Sequence, residues 1–211
     1  MLDLLNSEKY EQLALADADV RLWLNIDLGA DYDALLQNLI EETPWRQEEI
    51  TVYGKRHLQP RLSAWYGDCS YSYSGITLKT LPWVDPLIDI RQRVETLVQH
   101  QFNSVLLNYY RDQHDSMGMH SDDESSLGDE PVIASLSLGE ERTFLLKHKF
   151  RKDLKTMKLA LPSGSLLLMR GPTQHYWRHG INKEKAACRA RLNLTFRSVM
   201  QTRRGNEQDG N

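Results

Sequence analysis

The spacing of apolar positions changes period twice along the chain. Residues 1–30 mix small apolar and acidic residues without a firm period, and predict an irregular acidic lead-in with one short strand near Arg21–Ile26. From Asp31 the period becomes helical: Tyr32, Leu35, Leu36, Leu39 and Ile40 share one stripe behind an N-capping aspartate. Thr43-Pro44 should end that helix. Ile50–Lys55 is β-prone and carries Gly54 near its end; a loop is expected over His57–Arg61. Tyr71 and Tyr73 should share a strand face. A second helix is announced by Asp85 as N-cap and Pro86 in its first turn, with Leu87, Ile90, Val94, Leu97 and Val98 inward. Beyond it come short strands at Ser104–Tyr110, Val132–Leu138, Thr143–Leu146, Thr156–Leu161, Ser165–Met169 and Arg189–Val199. Two helices followed by such a run predict an α+β fold whose strands form a sandwich or barrel.

At 211 residues, with 40% hydrophobic and 26% charged residues, the chain is long enough for one large domain with a sizeable core. The first residues lack a basic flank and no apolar run approaches spanning length, so neither secretion nor membrane insertion is indicated. Cys69 and Cys188 form no CxxC pair and read as two reduced thiols of an intracellular protein. The net charge of -3 hides an asymmetry. Residues 1–50 hold three Lys+Arg against twelve Asp+Glu, a net of -9, which leaves +6 for the remainder. A basic body is compatible with an anionic partner.

The candidate chemistry centres on Met119-His120-Ser121-Asp122-Asp123-Glu124. His120 and Asp122 can converge on one point only if the segment is extended, because positions i and i+2 diverge on a helix. With a distant second imidazole, for which His179 is the candidate, they would make the two-histidine, one-carboxylate set that leaves positions open on Fe(II). His-x-Asp alone is commonly a solvated loop pair; the last strand adds weight. There, Leu192, Leu194 and Phe196 face one way and Arg191, Asn193, Thr195 and Arg197 the other. The plain alternative is an amphipathic strand with its polar face in water. The two arginine Cα atoms would stand roughly 20 Å apart. With each guanidinium reaching back about 6 Å, roughly 8 Å remains, a gap suited to a short dicarboxylic acid. Asn108 and Tyr110 share a face of an earlier strand and need partners if buried.

These pieces together resemble the AlkB family of Fe(II)- and 2-oxoglutarate-dependent dioxygenases: Asn108-Tyr109-Tyr110, His120-Ser121-Asp122, His179, and Arg191-Leu192-Asn193-Leu194-Thr195-Phe196-Arg197. Val52-Tyr53-Gly54-Lys55, Pro60-Arg61, Tyr66-Gly67-Asp68, Tyr71-Ser72-Tyr73-Ser74-Gly75 and Asp123-Glu124 are similar to the branch that repairs duplex DNA. The resemblance implies a double-stranded β-helix (jelly-roll) core at 81–200. Around it would lie a nucleotide-recognition lid at 50–80, an acidic segment with a helix packed on the core at 1–49, and a flexible tail at 201–211. It implies His120, Asp122 and His179 as iron ligands and Arg191 on the distal carboxylate of 2-oxoglutarate. Arg197 would lie near the metal-bound end, with Asn108, Tyr110, Asn193 and Thr195 lining the pocket. Val52, Tyr53, Gly54 and Lys55 would form the finger that enters the duplex, with Tyr where Phe is more usual. Tyr71 and Tyr73 would hold the flipped base, with His179 stacking on its other face, and Asp123 and Glu124 would meet the base edge. The implied activity is oxidative removal of N-alkyl groups, as from 1-methyladenine and 3-methylcytosine in DNA. Formaldehyde, succinate and carbon dioxide would be released.

DNA is the expected partner, duplex first and single-stranded second. The enzyme is expected to be a monomer, cytoplasmic, or nuclear in a eukaryote. An RNA demethylase of the same mechanism and a catalytically silent nucleic-acid-binding module are the alternatives. Among the other candidates, His175 reads as a supporting or surface residue, and spacing suggests no partner for His114 or His148. The basic run Lys147–Lys152, continued by Lys155 and Lys158, is a solvated hairpin tip or a phosphate contact, and Lys55, Arg56 and Arg61 make a second basic cluster.

Overall fold

A computed structural model describes residues 9–52, 54–69, 71–73 and 76–200, with backbone alone for 51–52, 71–73 and 76–77. Tyr53 and the tail 201–211 lie outside the described residues, as do the side chains of Val52, Tyr71 and Tyr73. In chain order the elements are β1 (Glu11–Gln12), β2 (Asp19–Trp23), α1 (Tyr32–Glu42), β3 (Glu49–Val52), β4 (Lys55–Leu58), β5 (Leu62–Gly67), β6 (Tyr71–Tyr73), β7 (Ile76–Leu78), β8 (Thr80–Leu81), α2 (Asp85–Val98), β9 (Ser104–Tyr110), β10 (Met117–His120), β11 (Ile133–Gly139), β12 (Arg142–His148), β13 (Met157–Leu161), β14 (Leu166–Arg170), α3 (Thr173–Tyr176), β15 (Trp177–Ile181) and β16 (Arg191–Arg197).

Eight strands form one sheet in the order β1-β2-β14-β11-β16-β9-β5-β8, and four form a second, β10-β15-β12-β13. The result is a jelly roll with helices on the outer face of the large sheet. The layering follows from apolar residues on both faces of its central strands. Leu136, Leu166, Leu192, Leu194 and Phe196 pack with Leu36, Leu39, Leu87, Ile90 and Val94 of the two helices. Alternate residues of the same strands, among them Ile133 and Leu167, pack with Phe144, Leu146, Trp177 and Ile181 of the small sheet. Strands covered on both sides read as apolar runs, which is why Val105–Leu107 shows no clean alternation.

Helix α1 starts as its sequence predicts, with the Asp31 carboxylate accepting from the Ala34 N–H at 2.9 Å. Helix α2 does not: Val84 is its N-cap and makes no side-chain cap bond, while Asp85 is the first helical residue. There Asp85 still meets the positive end of the helix dipole. The early strand is Asp19–Trp23 rather than Arg21–Ile26, because its register is set by pairing with β14, Arg21 opposite Leu168. His57 and Leu58, expected in a loop, belong to β4, which pairs with β3 through Val52 and Lys55. Leu62–Gly67, within the segment expected to form the lid, is a strand of the large sheet between β9 and β8. The hairpins β3–β4 and β6–β7 make two separate two-stranded sheets.

Candidate active site

Strand β16 supplies the polar wall of a pocket between the two sheets. Its residues are buried along their whole length, so Arg191, Asn193, Thr195 and Arg197 turn inward and not to water. Cross-strand register widens the wall. Ser135 lies opposite Thr195, Ser137 opposite Asn193, Asn108 opposite Asn193, and Tyr110 opposite Arg191. The small sheet closes the other side, where β10 sets His120 opposite His179 on β15. A pocket of about 420 Å³, part of it open to solvent, lies between these walls.

His120, Asp122 and His179 meet there, with one candidate ligand atom from each lying within 4.8 Å of the others. The imidazole centroids of His120 and His179 are 4.3 Å apart. His120 Nδ1 sits 2.9 Å from the Gly118 carbonyl, which suits N–H donation there and leaves Nε2 as the lone-pair nitrogen. Arg197 donates to Asp122 Oδ1 at 2.8 Å, and the Asp122 N–H donates to Gln174 Oε1 at 3.0 Å. Asp122 Oδ2 is buried, lies 3.6 Å from His179 Nε2 and has no hydrogen-bond partner among the described residues. An orphaned carboxylate oxygen beside two imidazoles is the donor set a divalent iron takes.

Burial alone would push the Asp122 carboxyl up, but the Arg197 guanidinium, followed by His179 and His120, holds it well below the usual carboxylate range. Burial pushes His179 down to about 3, with His120 adding to the effect and Asp122 opposing it. Both are therefore in their metal-binding forms at neutral pH. The unfolded chain takes up a proton that folded His179 refuses, so stability of the metal-free protein is expected to fall as pH drops from about 6.5 toward 3. Asp122 adds a loss in the same direction below about 3.9. Thermal unfolding across this range should show the decline, and His179→Leu should flatten its upper part.

Arg191 offers the complementary feature. It is 1% exposed, and its Nη2 donates to Ser137 Oγ at 2.9 Å, while Nε and Nη1 are buried with no hydrogen-bond partner among the described residues. Its guanidinium lies over the Tyr110 ring, 5.3 Å from the centroid. Burial lowers its pKa to about 10, so the group stays charged at neutral pH. Two unpaired N–H groups on a buried cation fit one carboxylate. Asn193 and Thr195 are already engaged: Asn193 Nδ2 donates to Ser135 Oγ and Leu136 O at 2.8 and 2.9 Å, and Thr195 Oγ1 to Asn193 Oδ1 at 3.0 Å. They hold the wall's shape. Asn108 accepts from Arg61 Nε at 2.7 Å.

That last bond removes Arg61 from the surface cluster expected for it, since Arg61 is 4% exposed and also donates to Ser116 O. Lys55 and Gly54 are exposed at the β3–β4 turn. Asp123 is tied to Lys149 Nζ at 3.0 Å, and Glu124 Oε2 is buried with no hydrogen-bond partner among the described residues. His148, which spacing left unpartnered, lies 3.3 Å from Asp17; His175 is exposed.

Gln174, Ser135, Ser137, Phe144 and Arg142 did not stand out in the sequence. The alternation of Ser135 and Ser137 with Ala134, Leu136 and Leu138 was the available signal. Arg142, fully buried, donates to the carbonyls of Asp112, Asp115 and Asn182 at 3.3, 3.0 and 2.6 Å, a set of loop contacts no local pattern announces. Gly180 is also required: a Cβ there would lie 2.8 Å from the Met117 carbonyl of β10. Gly180→Val should push β10 and His120 outward and weaken metal binding by about 10- to 100-fold, the usual cost of disturbing support around a ligand, measured by anaerobic titration.

The chain matches the model of the 2OG-Fe(II) oxygenase superfamily over residues 29–197. It is 42% identical over 181 residues to the alpha-ketoglutarate-dependent dioxygenase alkB homolog 3 of Mus musculus, covering 82% of this chain and 63% of that protein. It is 37% identical over 186 residues to the DNA oxidative demethylase ALKBH2 of Homo sapiens, covering 83% and 71%. The chain thus spans a little under two thirds of the alkB homolog 3 protein. The solved structure of OsALKBH1 shares the fold at 18% identity and a TM-score of 0.59, covering 90% of this chain and all of the other.

Proposed function

The chain belongs to the 2OG-Fe(II) oxygenase superfamily, and on that footing we propose that it is an oxidative demethylase of DNA. It would remove N-methyl groups from bases such as 1-methyladenine and 3-methylcytosine as formaldehyde, consuming dioxygen and 2-oxoglutarate and yielding succinate and carbon dioxide. The observation that carries this reading is one pocket holding a buried Asp122 oxygen beside two imidazoles and, further along the β16 wall, Arg191 with two N–H groups that have no hydrogen-bond partner among the described residues. Relatives named for DNA demethylation supply the substrate class.

The family implies Fe(II) and 2-oxoglutarate, which together supply oxidation of an unactivated C–H bond when bound. The residues set the stage. His120, Asp122 and His179 would hold the metal, and Arg197 keeps Asp122 ionised and directed. Gln174 anchors the Asp122 backbone, and Phe144 stacks on His179 at 5.4 Å to set its plane. Arg191, between Tyr110 and Ser137, would take a carboxylate of 2-oxoglutarate. Asn108, Asn193 and Thr195 line the space between. The family resemblance would give Asp123 and Glu124 the base edge and Tyr71 and Tyr73 one face of the base, opposite His179. It would give Val52, Tyr53, Gly54 and Lys55 the place the base leaves in the stack. Extrusion costs a few kcal/mol and is cheapest where methylation has already broken pairing.

Formaldehyde release on methylated duplex DNA, single-stranded DNA and RNA in parallel tests the proposal. A strong RNA preference without DNA activity would replace the substrate. Anaerobic addition of Fe(II) and 2-oxoglutarate is expected to produce a visible absorption band; a colourless protein would favour a silent binding module.

A further inference from the structure

Two aromatic rings at the end of the small sheet where β12 leaves and β15 enters have no part in the reaction as described. Phe150 is 68% exposed and Tyr176 38%, and the rings meet edge to face at 6.0 Å. Buried His148 packs against both, at 6.2 and 5.8 Å. The turn that carries Phe150 is tied down. His148 Nδ1 accepts from the N–H groups of Phe150 and Arg151 at 3.2 and 3.0 Å, and the Lys149 N–H donates to the Tyr176 carbonyl at 2.7 Å. A single exposed ring is ordinary. A fixed pair set in a basic surface calls for an occupant.

The surroundings narrow that occupant. Residues 147–158 hold six Lys+Arg and one Asp. The nearby acids are engaged: Asp17 with His148, Asp123 with Lys149 and Asp153 with Arg151. Lys147, Lys152 and Arg178 are exposed and make no ion pair among the described residues. Lys149 links the platform to the pocket by donating to Asp123 Oδ2 and Gln174 O at 3.0 and 2.7 Å, next to Asp122 in sequence and in its hydrogen bonding. Tyr176 precedes His179 by three residues, so at most about 10 Å of chain separates them, within the span of about three stacked bases at a 3.4 Å rise.

We propose that the Phe150–Tyr176 face is a stacking platform for the unpaired nucleotides that flank the flipped base, so that the preferred substrate is DNA single-stranded on that side of the lesion. Only an unpaired base offers its whole face to a ring, and stacking of this kind tolerates any base. The lysines and Arg178 track the phosphates. The inference rests on the demethylase reading for what enters the pocket, but the platform can be tested apart from it.

The probe is an unmethylated, fluorescently labelled single-stranded oligonucleotide titrated with the metal-free full chain across a salt series. Phe150→Ala/Tyr176→Ala should weaken binding about 5- to 150-fold, the range for one lost stack, and leave the salt slope unchanged. Lys147→Ala/Lys152→Ala should instead lower the slope by roughly 0.7 per charge. Phe150→Trp should keep affinity and show emission quenched on binding, which a merely structural ring would not do. Unchanged affinity in the double alanine variant, equal loss on duplex and single strand, or a parent that binds no oligonucleotide would each overturn the platform. Formaldehyde release by the parent, measured alongside, separates the two ideas. Release with ring-independent binding keeps the demethylase and removes the platform; ring-dependent binding without release does the reverse.

Discussion

Asp122→Ala is expected to abolish formaldehyde release, by more than the about 10- to 100-fold that loss of a supporting group around a metal costs. The carboxylate faces two ways at once, with Oδ1 on Arg197 at 2.8 Å and Oδ2 3.6 Å from His179 Nε2. Removing it takes away the anionic ligand candidate and strands a buried guanidinium. Breaking a buried pair from one side costs about 3–5 kcal/mol, so the alanine variant should also unfold at lower temperature. Asp122→Asn separates the two effects. Its amide oxygen can still face Arg197 and preserve part of the stability, while the missing charge should keep Fe(II) affinity and the anaerobic visible band low. An asparagine variant with parental absorption and turnover would remove Asp122 from the metal centre.

The second large effect is at Arg191, where affinity and stability should move in opposite directions. Truncating one partner of a buried, hydrogen-bonded charge pair costs about 2–5 kcal/mol, so Arg191→Met should weaken 2-oxoglutarate binding about 30- to 4,000-fold. In the free protein the same side chain is a liability. It carries two buried N–H groups with no hydrogen-bond partner among the described residues, each costing about 1–3 kcal/mol, against one bond to Ser137 and its contact with the Tyr110 ring. Free Arg191→Met should therefore be at least as stable as the parent in thermal unfolding. A destabilised variant with unaltered 2-oxoglutarate affinity would make Arg191 a structural cation only.

The acidic N-terminal stretch finds its use in the tertiary structure. Asp17 meets His148, Asp19 meets Arg170, and Asp27 meets Arg93. The excess negative charge of residues 1–50 thus docks on the more basic remainder. Composition revealed the asymmetry but not where the two halves touch.

Local pattern alone determined a good deal here. The helical stripe behind Asp31, the apolar run Ser104–Tyr110 and the alternation through Arg191–Arg197 follow from periods set by backbone geometry, and the structure has elements at those places. The His-x-Asp spacing and the paired arginines were legible because their chemistry is carried by residue type and interval. Pairing across the chain decided the rest. Met117–His120 and Trp177–Ile181 were not read as strands, having neither β-prone composition nor alternation; they are strands because each is the other's neighbour, with His120 opposite His179. Arg61 looked like a surface cation until the fold placed it on Asn108. Arg197, which spacing assigned to the keto acid, is held by Asp122 across 75 residues of chain. Sequence periodicity reports which way a side chain points from its own backbone; what it meets there depends on contacts between distant segments, and those exist only once the two sheets have closed on each other.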